Sequence, residues 1–197
     1  MPAMKLFYVP GTCSVNPHIL LREMGADFQL DKVDRATKKT EAGLDYNELN
    51  PKSYVPALEV DGTILTEGAA ISMYLADQKG GEKIAPKAGT MDRYKMQEWL
   101  VFVATELHKS YGPLFRKSPD PAFRENLMKR LALLDKHFDT HQFLVGEKFS
   151  AADSYLFTVL RWSPRVEVVL PANVQKFFDR IKARPAVAKV LEVEGLN

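Results

Sequence analysis

One change of pattern constrains this chain more than any other feature. Through residue 78, apolar runs of strand length alternate with helical patterns; beyond residue 90, every apolar pattern repeats at helical spacing. Such a chain builds a small α/β domain first and an all-helical domain after it. Residues 79–90 are rich in Gly, Lys and Pro and carry no periodicity, which sets domains at 1–80 and 91–197 with a linker at 81–90. A length of 197 residues is sufficient for both.

Residues 4–9 read as a buried strand ended by Pro10-Gly11, and residues 14–24 as a helix stopped at Gly25, with Pro17 in its first turn. Residues 28–33 alternate as a strand does. A polar stretch to Asn50-Pro51 is expected to be helical. Residues 56–60 and 63–65 read as strands around Asp61-Gly62, a dipeptide favoured in tight hairpins. Residues 66–76 read as a helix. The order βαβαββα implies a parallel crossover, an antiparallel hairpin and a mixed sheet covered by helices. In the second half, residues 91–115 read as one long helix. Pro119 and Pro121 punctuate before a helix to about residue 141. Ser150 and Asp153 form a capping box before an almost wholly apolar helix to Trp162; Pro171 begins a further helix, and Pro185 separates it from a short last one.

Composition removes several function classes. The net charge is +2, with no basic stripe, so no nucleic-acid partner is expected. No apolar run approaches the roughly 18 residues a membrane span needs, and the N-terminus reads as a strand rather than a signal peptide. One cysteine, Cys13, forms no internal disulfide, which points to a reducing, cytoplasmic compartment. Four histidines and one cysteine show no metal-ligand spacing, so no metal is expected.

Three places carry candidate chemistry. Cys13 stands where the first strand passes into the first helix, and a helix start stabilises a thiolate, its own or a bound ligand's. On position alone, a buried inert thiol fits equally well. Val55-Pro56 precedes the third strand. A cis bond there would present the Val55 backbone to a peptide-like ligand; an ordinary trans proline opening a strand is the commoner arrangement. Thr66-Glu67-Gly68 opens the third helix, where N–H groups suit a carboxylate and Glu67 an ammonium, though simple capping accounts for the residues as well.

Together these segments resemble a known family. Lys5-Leu-Phe-Tyr-Val-Pro-Gly-Thr-Cys-Ser14, Asn50-Pro-Lys-Ser-Tyr-Val-Pro-Ala-Leu58, Leu65-Thr-Glu-Gly-Ala-Ala-Ile71 and Ala104-Thr-Glu-Leu-His-Lys109, with the capping segment 149–153, are similar to bacterial beta-class glutathione transferases over essentially the whole chain. The resemblance implies a thioredoxin-like N-terminal domain, an all-α C-terminal domain, and glutathione as co-substrate. It also implies a homodimer.

By the resemblance, Cys13 lies beside the glutathione sulfur, with Ser14 and His108 as further catalytic groups. Val55 pairs its backbone with the cysteinyl unit before a cis Pro56. Glu67 and Gly68 hold the γ-glutamyl end; Gly68 stands where many relatives have serine. Lys38 reaches the glycyl carboxylate. Tyr54 replaces a frequent glutamine. Lys109 supports an anionic group, and Thr105 and Glu106 reach glutathione in the neighbouring subunit; Val101 stands where an asparagine is frequent. Tyr8, inside the first strand, reads as packing. The implied reaction is attack of the glutathione thiolate on a largely apolar electrophile. Thiol–disulfide exchange or reductive dehalogenation through Cys13, and non-catalytic binding of apolar ligands, are the alternatives.

Overall fold

A computed structural model describes residues 3–118 and 120–196. Pro119, read above as punctuation, lies outside the described residues, as do Met1 and Pro2 of the N-terminal reading. The chain forms two compact units. One comprises the residues up to Ile84 together with those from Pro185 onward, and the other is Ala85–Arg184.

In the first unit a four-stranded sheet has the order β2-β1-β3-β4. Strand β1 (Met4–Tyr8) runs parallel to β2 (Gln29–Lys32), as the crossover through α1 (Val15–Met24) requires. On its other side β1 runs antiparallel to β3 (Ala57–Val60), which turns back into β4 (Thr63–Thr66). Asp61 and Gly62 take φ values of +47° and +80°, the left-handed pair a two-residue hairpin needs. The central strand is apolar on both faces: Leu6 and Phe7 are fully buried. Phe7 packs with Val33, Tyr46 and Ala57 on one face, while α1 and α3 (Gly68–Ala76) cover the other.

Two readings of this unit are corrected. The polar stretch after β2 is not a long helix. Only α2 (Tyr46–Leu49) is helical, and Val33–Thr40 and Lys39–Asp45 form isolated antiparallel bridges instead. The last helix, α9 (Pro185–Glu194), which the sequence reading placed with the helical domain, packs against α1 in the first unit.

The second unit contains α4 (Met91–Phe102), α5 (His108–Phe115), α6 (Pro121–His137), α7 (Ala151–Leu160) and α8 (Ala172–Lys182). Every residue of α7 is buried, so this helix is the core. Its capping box is present: Asp153 Oδ2 accepts from the Ser150 N–H at 2.8 Å and from the Ser150 hydroxyl at 2.7 Å, and Asp153 Oδ1 from the Leu144 N–H at 2.8 Å. The expected single helix over 91–115 is interrupted by a π turn, Val103–Leu107. The Thr105 hydroxyl there donates to the Val101 carbonyl at 2.9 Å, a side-chain bond that competes with the helical ladder.

Candidate functional site

The turn from β1 into α1 is closed by its own side chains. The hydroxyls of Thr12 and Ser14 both donate to the Val9 carbonyl, at 2.8 and 3.0 Å, and the Val9 N–H donates back to Ser14 Oγ at 3.2 Å. Ser14 is fully buried. The Ser14 hydroxyl, expected from the resemblance to be a catalytic group, fastens the turn through these bonds. No side chain caps α1; the N–H groups of Val15, Asn16 and His18 bond instead to the carbonyls of Thr12, Cys13 and Ser14 at 3.2–3.3 Å, and residue 17 is a proline, so what this end offers Cys13 is the positive end of the helix dipole. Cys13 is half-buried, and its Sγ donates to the Val55 carbonyl at 3.1 Å.

Val55 ends a loop whose carbonyls are held one after another. The Lys38 ammonium donates to the Ser53 carbonyl at 3.1 Å. The Tyr46 hydroxyl and Asn50 Nδ2 donate to the Tyr54 carbonyl at 2.8 and 2.7 Å, and Cys13 takes the Val55 carbonyl. The Val55-Pro56 bond is cis. Tyr46 is fully buried beneath the loop, and burial raises its phenol above the ordinary value. The Tyr54 side chain, by contrast, is 78% exposed, so this residue contributes its carbonyl to the loop and leaves its ring in solvent.

Glu67 joins β4 to α3 with φ +71°, a left-handed conformation that costs a non-glycine residue on the order of 1–3 kcal/mol. That backbone leaves α3 without a side-chain cap and turns the Glu67 carboxylate outward. There it accepts from the Lys52 ammonium at 2.9 Å, and Lys52 also reaches Thr66 Oγ1 at 3.0 Å. Gly68 is the buried first residue of α3. One ammonium-binding carboxylate and one uncapped helix start therefore stand side by side.

The other expected residues lie in the second unit. The π turn ends at His108, whose Nδ1 is 2.9 Å from the Tyr155 hydroxyl and whose ring packs 4.9 Å from that of Trp162. Burial, and secondarily the neighbouring Lys109, pushes the imidazole down to about 4, so His108 is neutral near pH 7. Lys109 and Thr105 are exposed. Glu106 pairs with Arg130 at 2.7 Å within its own unit.

Lys52, Tyr46 and Asn50 were not singled out from the sequence. A tyrosine inside a polar stretch and an Asn-Pro before the loop were the only signals. Among the described residues, no cluster of three His, Cys, Asp or Glu side chains suits a metal ion, and no helix is long and apolar enough to cross a membrane. Tyr8 lies within β1, its ring 6.1 Å from that of His18, in keeping with packing.

Comparison with known proteins places this geometry. Residues 12–78 match the family model for the glutathione S-transferase N-terminal domain, and residues 102–185 that for the C-terminal domain. The chain is 45% identical to glutathione S-transferase GstA of Escherichia coli O157:H7, covering 98% of this chain and 100% of that one. Among solved structures it is similar to a sphingomonad glutathione S-transferase complexed with glutathione, with TM-score 0.92, 42% identity, and 98% and 100% of the two chains covered. The beta-class enzyme of Sphingomonas chungbukensis has TM-score 0.90 at 42% identity over the same shares of the two chains.

Proposed function

The chain belongs to the glutathione S-transferase family, and on that premise we propose how its own residues bind glutathione and present its thiol to a small, largely apolar electrophile. The carrying observation is the thiol of Cys13 within hydrogen-bond reach of the Val55 carbonyl, at the N-terminal end of α1. A cysteinyl unit that pairs with the Val55 backbone lies along this segment, where the positive end of the α1 dipole favours the thiolate over the thiol. Lowering the thiol pKa and fixing the sulfur supply the rate enhancement.

The rest of glutathione is read by charge. Glu67 takes the γ-glutamyl ammonium, displacing Lys52. That exchange is inexpensive, because the pair is more than half exposed and worth only about 0–1 kcal/mol. The Gly68 end of α3 takes the γ-glutamyl carboxylate. Lys38 anchors the Ser53 carbonyl and supports the glycyl carboxylate. In the second unit, neutral His108 serves as a hydrogen-bonding group for the thiol or the electrophile, and Lys109 as a cation for an anionic product. Thr105 and Glu106 serve a neighbouring subunit's glutathione in a homodimer; for Glu106 this requires leaving Arg130.

Cys13 favours a second reading, thiol exchange with oxidised glutathione, since the only cysteine of the chain stands at the position assigned here to the ligand sulfur. Turnover of an aryl halide with glutathione, measured beside a glutathione–disulfide exchange assay, tests both. Conjugation is expected. A protein that retains glutathione yet turns over neither substrate would be a sequestering protein, against this account.

A further inference from the structure

The last helix reaches the turn that carries Cys13 through one buried carboxylate. Both side chains of the Glu194–His18 pair are wholly inaccessible, and each oxygen of Glu194 is used. Oε2 accepts from the Gly11 N–H at 2.9 Å, and Oε1 lies 2.8 Å from His18 Nδ1. On the far side of the ring, Arg22 Nε donates to His18 Nε2 at 3.1 Å. An arginine N–H only donates, so Nε2 accepts, and the ring proton is on Nδ1, aimed at Glu194. The result is a continuous chain: Gly11 N–H, carboxylate, imidazole, guanidinium. An ionised carboxylate in a site this dry is tolerated only when both oxygens are satisfied and a countercharge stands in the same network. Gly11 holds φ +73°, and Leu196 lies over it: a Cβ on Gly11 would meet Leu196 Cδ2 at 3.1 Å. The peptide two residues before Cys13 is thus gripped by a charge on its amide and covered by the C-terminal residues.

We propose that Glu194 is a positioning residue for Cys13, setting the β1–α1 turn through the Gly11–Glu194–His18–Arg22 chain. The inference rests on the reading that this turn carries the reacting sulfur. Glu194 touches neither Cys13 nor a ligand; it acts by fixing the amide of Gly11.

The network makes a demand that packing alone does not. In Glu194→Gln, the amide oxygen can serve Gly11 only if the amide nitrogen donates to His18 Nδ1. That forces the imidazole proton onto Nε2, against the Arg22 donor. Replacing Arg22 by Met as well removes that conflict, and it removes a countercharge that a neutral Gln no longer needs.

The test has three readings. In the unaltered protein, long-range proton–nitrogen NMR should find His18 protonated at Nδ1 and not at Nε2 near pH 7; the opposite tautomer overturns the proposal whether or not any variant folds. In Glu194→Gln that is folded by circular dichroism, exchange of the Gly11 amide should quicken at least tenfold while α7 amides keep their protection, and alkylation of Cys13 by iodoacetamide should slow at least tenfold. In Arg22→Met/Glu194→Gln, both rates should return to within threefold of the unaltered protein. Rates within twofold of normal in the folded single variant, or a double variant no better than the single, would overturn the proposal. Alkylation of the sole cysteine needs no glutathione, so a failed conjugation assay would count against the transferase reading alone.

Discussion

Glu67 holds an unfavourable backbone conformation at an exposed position and contributes little to the fold in return: its partner Lys52 is 57% exposed and Glu67 itself 68%. A residue in that state points to a ligand. Glu67→Gln keeps the length and the backbone and removes the charge. Glutathione affinity measured by calorimetry should fall by about 2 kcal/mol, roughly thirtyfold, with unfolding free energy changed by less than about 0.5 kcal/mol. An unchanged dissociation constant would take Glu67 out of the site. His108 gives a second residue-scale expectation. Its folded value, about 4, lies below its ordinary 6.5, so the unfolded chain binds the proton more readily between them. The neutral imidazole then contributes stability that is present above 6.5 and lost as pH falls toward 4. Between pH 7 and pH 5, that loss amounts to about 2 kcal/mol. Urea unfolding at both pH values should show the gap between wild type and His108→Gln shifting by about this amount. A constant gap contradicts it. Asp153, pushed up to about 6 by burial, works in the opposite sense, its stability present at low pH and lost as pH rises through 6; it is common to both proteins and cancels.

At the scale of elements, α7 depends on its cap. Asp153 satisfies three donors at once, two from Ser150 and the N–H of Leu144, so Asp153→Ala leaves buried N–H groups unpaired and should destabilise the protein by about 2–4 kcal/mol by chemical denaturation. A loss below about 0.5 kcal/mol would show the box to be incidental. This cap was legible in the sequence because its members are three residues apart. So were the strands, the hairpin and the proline-opened helices, all set by local chemistry. The stretch after β2 was not. Asp34 accepts from the N–H groups of Ala36 and Thr37, the same bonds that start a helix, but Lys38 then turns left-handed at φ +58° and the chain leaves. An Asp-initiated turn and a helix start look alike in sequence. The π turn was equally hidden, since one extra residue per turn leaves the apolar spacing of 91–115 readable as one helix.

For the molecule as a whole, the contacts divide the chain after Ile84 and again at Pro185, whereas the sequence reading set 1–80, a linker at 81–90 and 91–197. Nothing local marks α9 as part of the sheet unit: Glu194 meets Gly11 and His18 at separations of 183 and 176 residues, pairings that spacing arguments cannot reach. The candidate site divides the same way. Cys13, Val55-Pro56 and Glu67 announced themselves through helix starts and an X-Pro step. The carbonyl anchors Tyr46 and Asn50, and the structural part played by Ser14, emerged only from the folded contacts. Assembly is the next expectation at this scale. Tyr94 and Val101, two turns apart on α4, are 57% and 50% exposed, an apolar edge that a second copy would cover. Sedimentation at micromolar concentration should give twice the chain mass; a monomer would remove the cross-subunit parts proposed for Thr105 and Glu106.

The central claim is that glutathione lies with its sulfur against Cys13, and intact-mass measurement of the native protein after exposure to oxidised glutathione tests it most directly. Because the chain has one cysteine, any adduct is on that residue. The account predicts a single glutathione adduct formed under native conditions, removed by a reductant, and formed more slowly in Glu67→Gln. No adduct on the native protein, with ready modification once it is unfolded, would show Cys13 to be an inert thiol and would contradict the account.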